Sequence, residues 1–245
     1  NRFIKKIKFI KCDITKKGKW IKEFHGKCYV FHFAALADIV PSIQTPKKYF
    51  NANVNGTVNI LEACKKATIL KFIYGASSSC YGIPKQYPTK ENSDIRPEYP
   101  YALTKRLGEE LVLHFAKVYK LNATSLRFFN VYGLRARTSG SYGAVFGVFL
   151  AQILADQPLT VVGNGKQSRD FVHVTDVAKA FLAAAESKSN GEVYNVGTGN
   201  PQTVNTLAKL IGGRQIRIPD RPGEPRVSKA NIRKIKKKLK WKPKI

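Results

Sequence analysis

Tyr101 and Lys105 stand four residues apart in the run Tyr-Ala-Leu-Thr-Lys, just behind Pro97 and Pro100. If that run is helical, positions i and i+4 share a face and a phenol meets an ammonium one turn away. A cation beside a phenol favours the phenolate and lowers its pKa towards the range of a base at neutral pH. A bare spacing of this kind is weak, because a Lys-rich chain produces it by chance. Upstream, an apolar run ends in Ser77, Ser78 and Ser79. A hydroxyl there can hold a reacting hydroxyl in line while Tyr101 takes its proton; the plainer reading is a Ser-rich turn. The two clusters together favour proton-transfer chemistry.

Elements able to position these residues are legible. Short runs rich in β-branched and aromatic residues at 3–12, 28–33, 71–76 and 124–129 predict strands, the first ending at Asp13. Helical patterns fall between and after them, over 47–66, 101–119, 147–155, 174–186 and 204–211. The alternation predicts an α/β chain with a doubly wound, mainly parallel, Rossmann-like sheet. Beyond Asn130 the rhythm loosens into Gly- and Pro-containing loops, which suggests a smaller lobe. The expected division is 1–130 for the sheet domain and 131–245 for a mainly substrate-binding lobe, with segments around 160–185 returning to the sheet. Ligands of such sheets bind at the carboxyl ends of the strands.

Composition narrows the class. Forty-three Lys and Arg against 16 Asp and Glu give a formal charge of +27, a field that gathers anions. The densest cluster, 233–244, carries Ile235, Leu239 and Trp241 at helical spacing, so it reads as a solvated helix face rather than a nucleic-acid patch. The cysteines Cys12, Cys28, Cys64 and Cys80 lie far apart without a metal-ligand spacing, so reduced thiols and no metal are expected. No apolar run is long enough to span a bilayer, and the expectation is a soluble, cytoplasmic protein. The chain holds no Met, so a segment ahead of Asn1 is expected.

Further motifs carry a resemblance. His-Phe-Ala-Ala at 32–35, Asn-Val-Asn-Gly-Thr at 53–57, the Ser77 to Gly82 segment, and Tyr101 to Lys105 come in order. Arg-Phe-Phe-Asn-Val-Tyr-Gly at 127–133, Arg-Asp-Phe-Val-His-Val-Thr-Asp at 169–176, Tyr-Asn-Val-Gly at 194–197 and Arg-Pro-Gly-Glu at 221–224 follow. Over nearly its whole length the chain resembles the extended short-chain dehydrogenase/reductases, and most of all their UDP-hexose 4-epimerases. That resemblance implies NAD as cofactor, a UDP-sugar substrate, a homodimer formed through a four-helix bundle, and a place in cell-surface polysaccharide synthesis.

Carried over position by position, it implies Tyr101 as base, Lys105 on the nicotinamide ribose, and Ser77 and Ser78 as orienting hydroxyls, with Ser79 on the substrate side. Asp13, Ile14, Phe33, Ala34, Ala35, Asn53 and Phe128 fall to the cofactor. Asn130, Arg169 and Arg221 match diphosphate-binding positions, where cationic or amide donors suit an anion. Ser228, seven residues past Arg221, matches a position where a small residue admits an N-acetyl group. Arg127, Asp176, His32 and His173 read more simply as buried or packing residues. The resemblance also implies that roughly 45 residues, with the glycine-rich phosphate turn, precede Asn1, and that the C-terminus stops slightly early.

Relatives that dehydrate or decarboxylate their sugars carry carboxylates where this chain has Ser78, Ser79 and Cys80, which disfavours elimination. Cys80 leaves open a 3,5-epimerase/reductase reading, in which a thiol takes part in acid–base chemistry. A catalytically inactive nucleotide- or RNA-binding scaffold is the rival from another class. The reading favoured is 4-epimerisation of UDP-N-acetylglucosamine and UDP-N-acetylgalactosamine through a 4-keto sugar.

Overall fold

The computed structural model describes residues 7–136, 145–220 and 225–245. From the amino end come β1 (Tyr29–His32), the short helices α1 (Ile39–Gln44) and α2 (Pro46–Phe50), α3 (Gly56–Ala67), β2 (Lys71–Ser77), the long α4 (Pro100–Val118), β3 (Ala123–Phe128) and β4 (Asn130–Tyr132). Then follow α5 (Val145–Leu154), β5 (Leu159–Val162), β6 (Ser168–Arg169), β7 (Phe171–His173), α6 (Val174–Glu186) and β8 (Glu192–Val196). The chain ends with β9 (Gln202–Thr203), α7 (Val204–Ile211), β10 (Gln215–Ile218) and α8 (Arg233–Leu239).

Strands β1, β2, β3 and β8 form one parallel sheet in that order. Parallel neighbours need crossovers, and helices supply them on both faces. Every residue of β2 is buried, as a central strand covered on two sides must be. Alternation along it sends Phe72, Tyr74 and Ala76 to a core shared with Leu61 and Cys64 of α3 and Val112 and Phe115 of α4. Ile73 joins the opposite core, with Leu126, Val196, Phe181 of α6, and Ile235 and Leu239 of α8. A third cluster gathers Phe149, Leu159, Val161, Val204 and Leu207, beside the parallel pair β5 and β10.

Helices α6 and α7 begin where their caps stand: His173 and Thr203 accept from the backbone amides of Thr175 and Thr206. The helical stretch anticipated over 47–66 is broken into α2, a π-turn at Asn51–Asn55, and α3. One other expectation fails. The described part of the run at 3–12 is not a strand; Phe9 is 85% exposed and nothing among the described residues pairs with it. Apolar alternation makes a strand only where a neighbour completes the ladder. Conversely, β8 escapes the sequence pattern because Glu192 and Asn195 interrupt its apolar run, yet it completes the central sheet.

Candidate active site

Strand β2 delivers Ser77 to the carboxyl edge of the sheet, in register with Phe128 of β3. The chain then tightens into a 3-10 turn, Ser78–Tyr81, in which the Ser77 Oγ accepts from the Ser79 amide and lies 2.8 Å from the Ser79 Oγ. Helix α4 starts opposite, with Pro100 in its first turn where a missing N–H costs nothing. Tyr101 follows, and its phenol hydrogen-bonds the Ser77 hydroxyl. Three hydroxyls, those of Tyr101, Ser77 and Ser79, thus run in one chain. Ser78 is half-buried on the same turn.

One turn on, Lys105 is only 5% exposed. Its Nζ lies 4.4 Å from the centre of the Tyr74 ring. Burial pulls the Lys105 pKa down to about 7, against the opposing pull of Glu109. The lowered Tyr101 phenol expected from the spacing is not observed. Burial raises it, with the Ser77 hydrogen bond opposing and the charges of Asp38 and Tyr49 adding to the rise. Desolvation penalises the phenolate more than the Ser77 hydrogen bond favours it. In the protein alone, the group that favours the phenolate is Ser77.

Beside the hydroxyl chain lies an apolar ledge. Beyond β1, Phe33 and Ala34 are exposed and Ala35 half-buried, with the Phe33 ring 4.4 Å from that of Phe181. Phe128 borders the same aromatic group at 6.3 Å from Phe181. Asn53 fixes the end of the ledge: its Nδ2 donates to the Leu36 carbonyl and the Thr104 hydroxyl, while its Oδ1 accepts from the Leu36 amide. With its amide bound to protein in this way, Asn53 positions the ledge against the helix turn bearing Lys105. Asp13 accepts from the amide and hydroxyl of Thr15, which hold its carboxyl below the usual range. Ile14 packs on Gly56, where a Cβ would come within 2.9 Å of it. An open aromatic and Ala-lined ledge at the carboxyl ends of parallel strands, ending beside a lysine, fits a dinucleotide; Phe33, Ala34, Ala35 and Lys105 are the residues that would hold it.

The sequence model of the NAD dependent epimerase/dehydratase family matches residues 1–197. The chain belongs to that family. Among its relatives, a putative UDP-glucose 4-epimerase of Methanocaldococcus jannaschii is 38% identical, over 100% of this chain and 82% of that protein. The structure of a UDP-N-acetylglucosamine 4-epimerase from Methanobrevibacter ruminantium M1, in complex with UDP-N-acetylmuramic acid, superposes with a TM-score of 0.91 at 35% identity, covering 96% of this chain and 77% of that one. The UDP-glucose 4-epimerase of Thermotoga maritima, with UDP-glucose, gives 0.91 at 34%, covering 97% and 79%. This member of the family is accordingly an NAD-dependent enzyme of the epimerase kind.

On the other side of the epimerase-family site, Asn130, Arg169 and Ser228 gather along one segment. The Asn130 backbone N–H donates to the Asp170 carbonyl, and the Ser228 backbone N–H to that of Ser168. The Arg169 guanidinium is mostly buried, with Nη1 donating to the carbonyls of Ser168 and Pro225. Part of the donor set expected to face an anion is therefore committed to backbone. Arg221 lies outside the described residues. Cys80 is 2% exposed and burial pushes its thiol up to about 12, so it stays protonated inside the core and offers no acid–base group to a sugar. His32 is buried against Thr57, and burial with the charge of Lys105 holds it neutral down to about 3.

Sequence reasoning overlooked Glu109 and Tyr74. Glu109 is i+4 from Lys105 and shares its helix face, a signal that was available; that it is buried and paired with Arg127 was not.

Proposed function

We propose that the chain interconverts UDP-sugars epimeric at C4, taking a 4-keto sugar as intermediate. The observation that carries this is the hydroxyl chain of Tyr101 and Ser77 at the carboxyl edge of β2, with Lys105 one helical turn away. The Tyr101 Oη takes the proton of the sugar 4-hydroxyl while the Ser77 Oγ holds that oxygen in line. NAD, when bound, supplies the chemistry of accepting the C4 hydride and returning it. The keto sugar turns over in the cleft and takes the hydride back on the opposite face of C4, so the centre is inverted with no net redox change, and Tyr101 gives its proton back to the same oxygen. Lys105, when charged, stabilises the phenolate that Tyr101 must be before it takes the proton and after it returns it. Ser78 and Ser79 offer no carboxylate for eliminating water, which supports epimerisation over dehydration.

Two finer features belong to the same proposal. The small side chain of Ser228 supports acceptance of the N-acetylated pair, UDP-N-acetylglucosamine and UDP-N-acetylgalactosamine. Leu103 and Val118 remain exposed on α4, which supports a homodimer formed through α3 and α4. Incubating the purified chain with NAD and each of UDP-glucose and UDP-N-acetylglucosamine, and following products by NMR, tests the reading. The C4 epimer is the expected product. A 4-keto-6-deoxy sugar, or nucleotide binding without turnover, would overturn it.

A further inference from the structure

Lys105 poses a problem of solvation. An ammonium taken out of water needs a partner, and the nearest carboxylate on its own helix, Glu109, is already committed to Arg127, Arg106 and the Ser125 hydroxyl. Among the described residues, the group set against the Lys105 Nζ is the face of the Tyr74 ring, 4.4 Å from its centre. A cation over an aromatic face is attracted by the ring's quadrupole, most strongly where water is excluded.

The ring is held there by several independent contacts. Tyr74 sits mid-strand in β2, almost wholly buried, and its hydroxyl donates to the Lys105 carbonyl at 3.4 Å. The His32 ring lies 5.7 Å away on β1. On α4, Gly108 leaves the room that the hydroxyl fills: a Cβ there would stand 2.2 Å from the Tyr74 Oη. The other groups facing Lys105 do not compete for the role. His32 on β1 is neutral, Asn53 and Thr104 are uncharged, Tyr101 is on the same helix face, and Glu109 acts across a turn while paired elsewhere.

We propose that Tyr74 is a positioning residue for the reaction: its ring face seats the Lys105 ammonium and keeps it charged at the site. The assignment rests on the epimerase reading for its catalytic consequence, but not for its physical content. Lys105 titrates close to neutrality, so a modest loss of cation stabilisation moves it between charged and neutral forms at working pH.

The test uses the full chain with its lysine side chains isotopically labelled, and identifies the Lys105 signal by its loss in Lys105→Met. The Lys105 pKa is then read by NMR in the parent, in Tyr74→Phe, in Tyr74→Leu, and with increasingly fluorinated phenylalanines at position 74. Fluorination withdraws charge from the ring at nearly constant shape, so it keeps the test open if Tyr74→Leu does not fold. The ring-retaining Tyr74→Phe is expected to hold the pKa near the parent value, while fluorination and Tyr74→Leu lower it by up to about one unit. In turnover, kcat of Tyr74→Leu should fall roughly tenfold below that of Tyr74→Phe at unchanged KM, with the alkaline limb of the pH profile moved down. A Lys105 pKa indifferent to fluorination would overturn the proposal. A fluorine-dependent pKa in a chain that turns over no UDP-sugar would retain the ring's role and reject the epimerase reading instead.

Discussion

Arg127 and Glu109 close a buried ion pair, with Arg127 Nη2 2.6 Å from Glu109 Oε1 and Nε 2.9 Å from Oε2. It joins β3 to α4 one turn beyond Lys105. Arg127 Nη1 also donates to the Tyr81 hydroxyl, on the turn that begins with Ser78, and Tyr81 in turn donates to Asn195 of β8. Helix, Ser-rich turn and two strands are thereby locked by one polar cluster, which fixes where Tyr101 and Ser77 meet.

Removing one charge from that cluster should be costly. Glu109→Gln leaves Arg127 buried without its anion and is expected to destabilise the fold by about 3–5 kcal/mol. Replacing both partners, as Glu109→Leu with Arg127→Met, should cost less than the two single losses combined. Urea denaturation measures both; a Glu109→Gln change below about 0.5 kcal/mol would show that the pair is not load-sharing.

Acid should expose His32. Its folded pKa is depressed to about 3, whereas an unfolded chain protonates near 6.5. Between those values the unfolded state binds the extra proton, so stability is full above about 6.5 and falls as pH drops towards about 3. His32→Gln can keep a hydrogen bond to Thr57 but has no proton to gain. Denaturation midpoints across this window should fall less steeply for the variant, and equal slopes would contradict the burial argument.

Gly108 gives a contest of signs. An exposed helical Gly changed to Ala usually gains roughly 0.5–1 kcal/mol. Here the new Cβ would meet the Tyr74 Oη at 2.2 Å, and overpacking of that kind costs about 1–3 kcal/mol. Gly108→Ala should therefore lower the melting temperature, and Tyr74→Phe in the same chain should recover part of it. A stabilised Gly108→Ala would refute the close approach.

How far the site was legible depended on whether its signal was local. Tyr101 and Lys105 could be placed on one helix face from spacing, and Ser77 at a strand end, because periodicity and an apolar run are properties of neighbouring residues. Helix α6 was readable to its last residue because its apolar face repeats cleanly. The sign of the effect on the Tyr101 phenol was not readable, since it is set by how much water the fold removes. The protein partners of Asn53 were not readable either, because nothing local reveals the π-turn that directs its amide at Leu36 and Thr104. The partners of Arg127 come from residues 18 to 46 positions away, and no spacing rule reaches them.

Ser228 offers a handle on substrate choice. It lies half-buried with its backbone pinned beside Arg169, so Ser228→Tyr adds bulk without breaking a side-chain bond seen among the described residues. Turnover of the N-acetylated sugars should fall by roughly tenfold or more relative to UDP-glucose, the scale at which a pocket rejects misfitting groups. Equal losses on both classes, from kcat/KM, would discredit the pocket assignment.

Tyr101→Phe tests the proton-transfer chemistry most directly. It removes the phenolic oxygen and leaves the ring, Lys105 and the Phe33 ledge in place. With NAD content and melting temperature matched to the parent, kcat for C4 epimerisation should drop by about 10²–10⁴-fold, the contribution of a positioned acid–base group. A variant that still turns over UDP-sugar within about tenfold of the parent would mean that the proton travels by another group, and the role given to Tyr101 and Ser77 would be wrong.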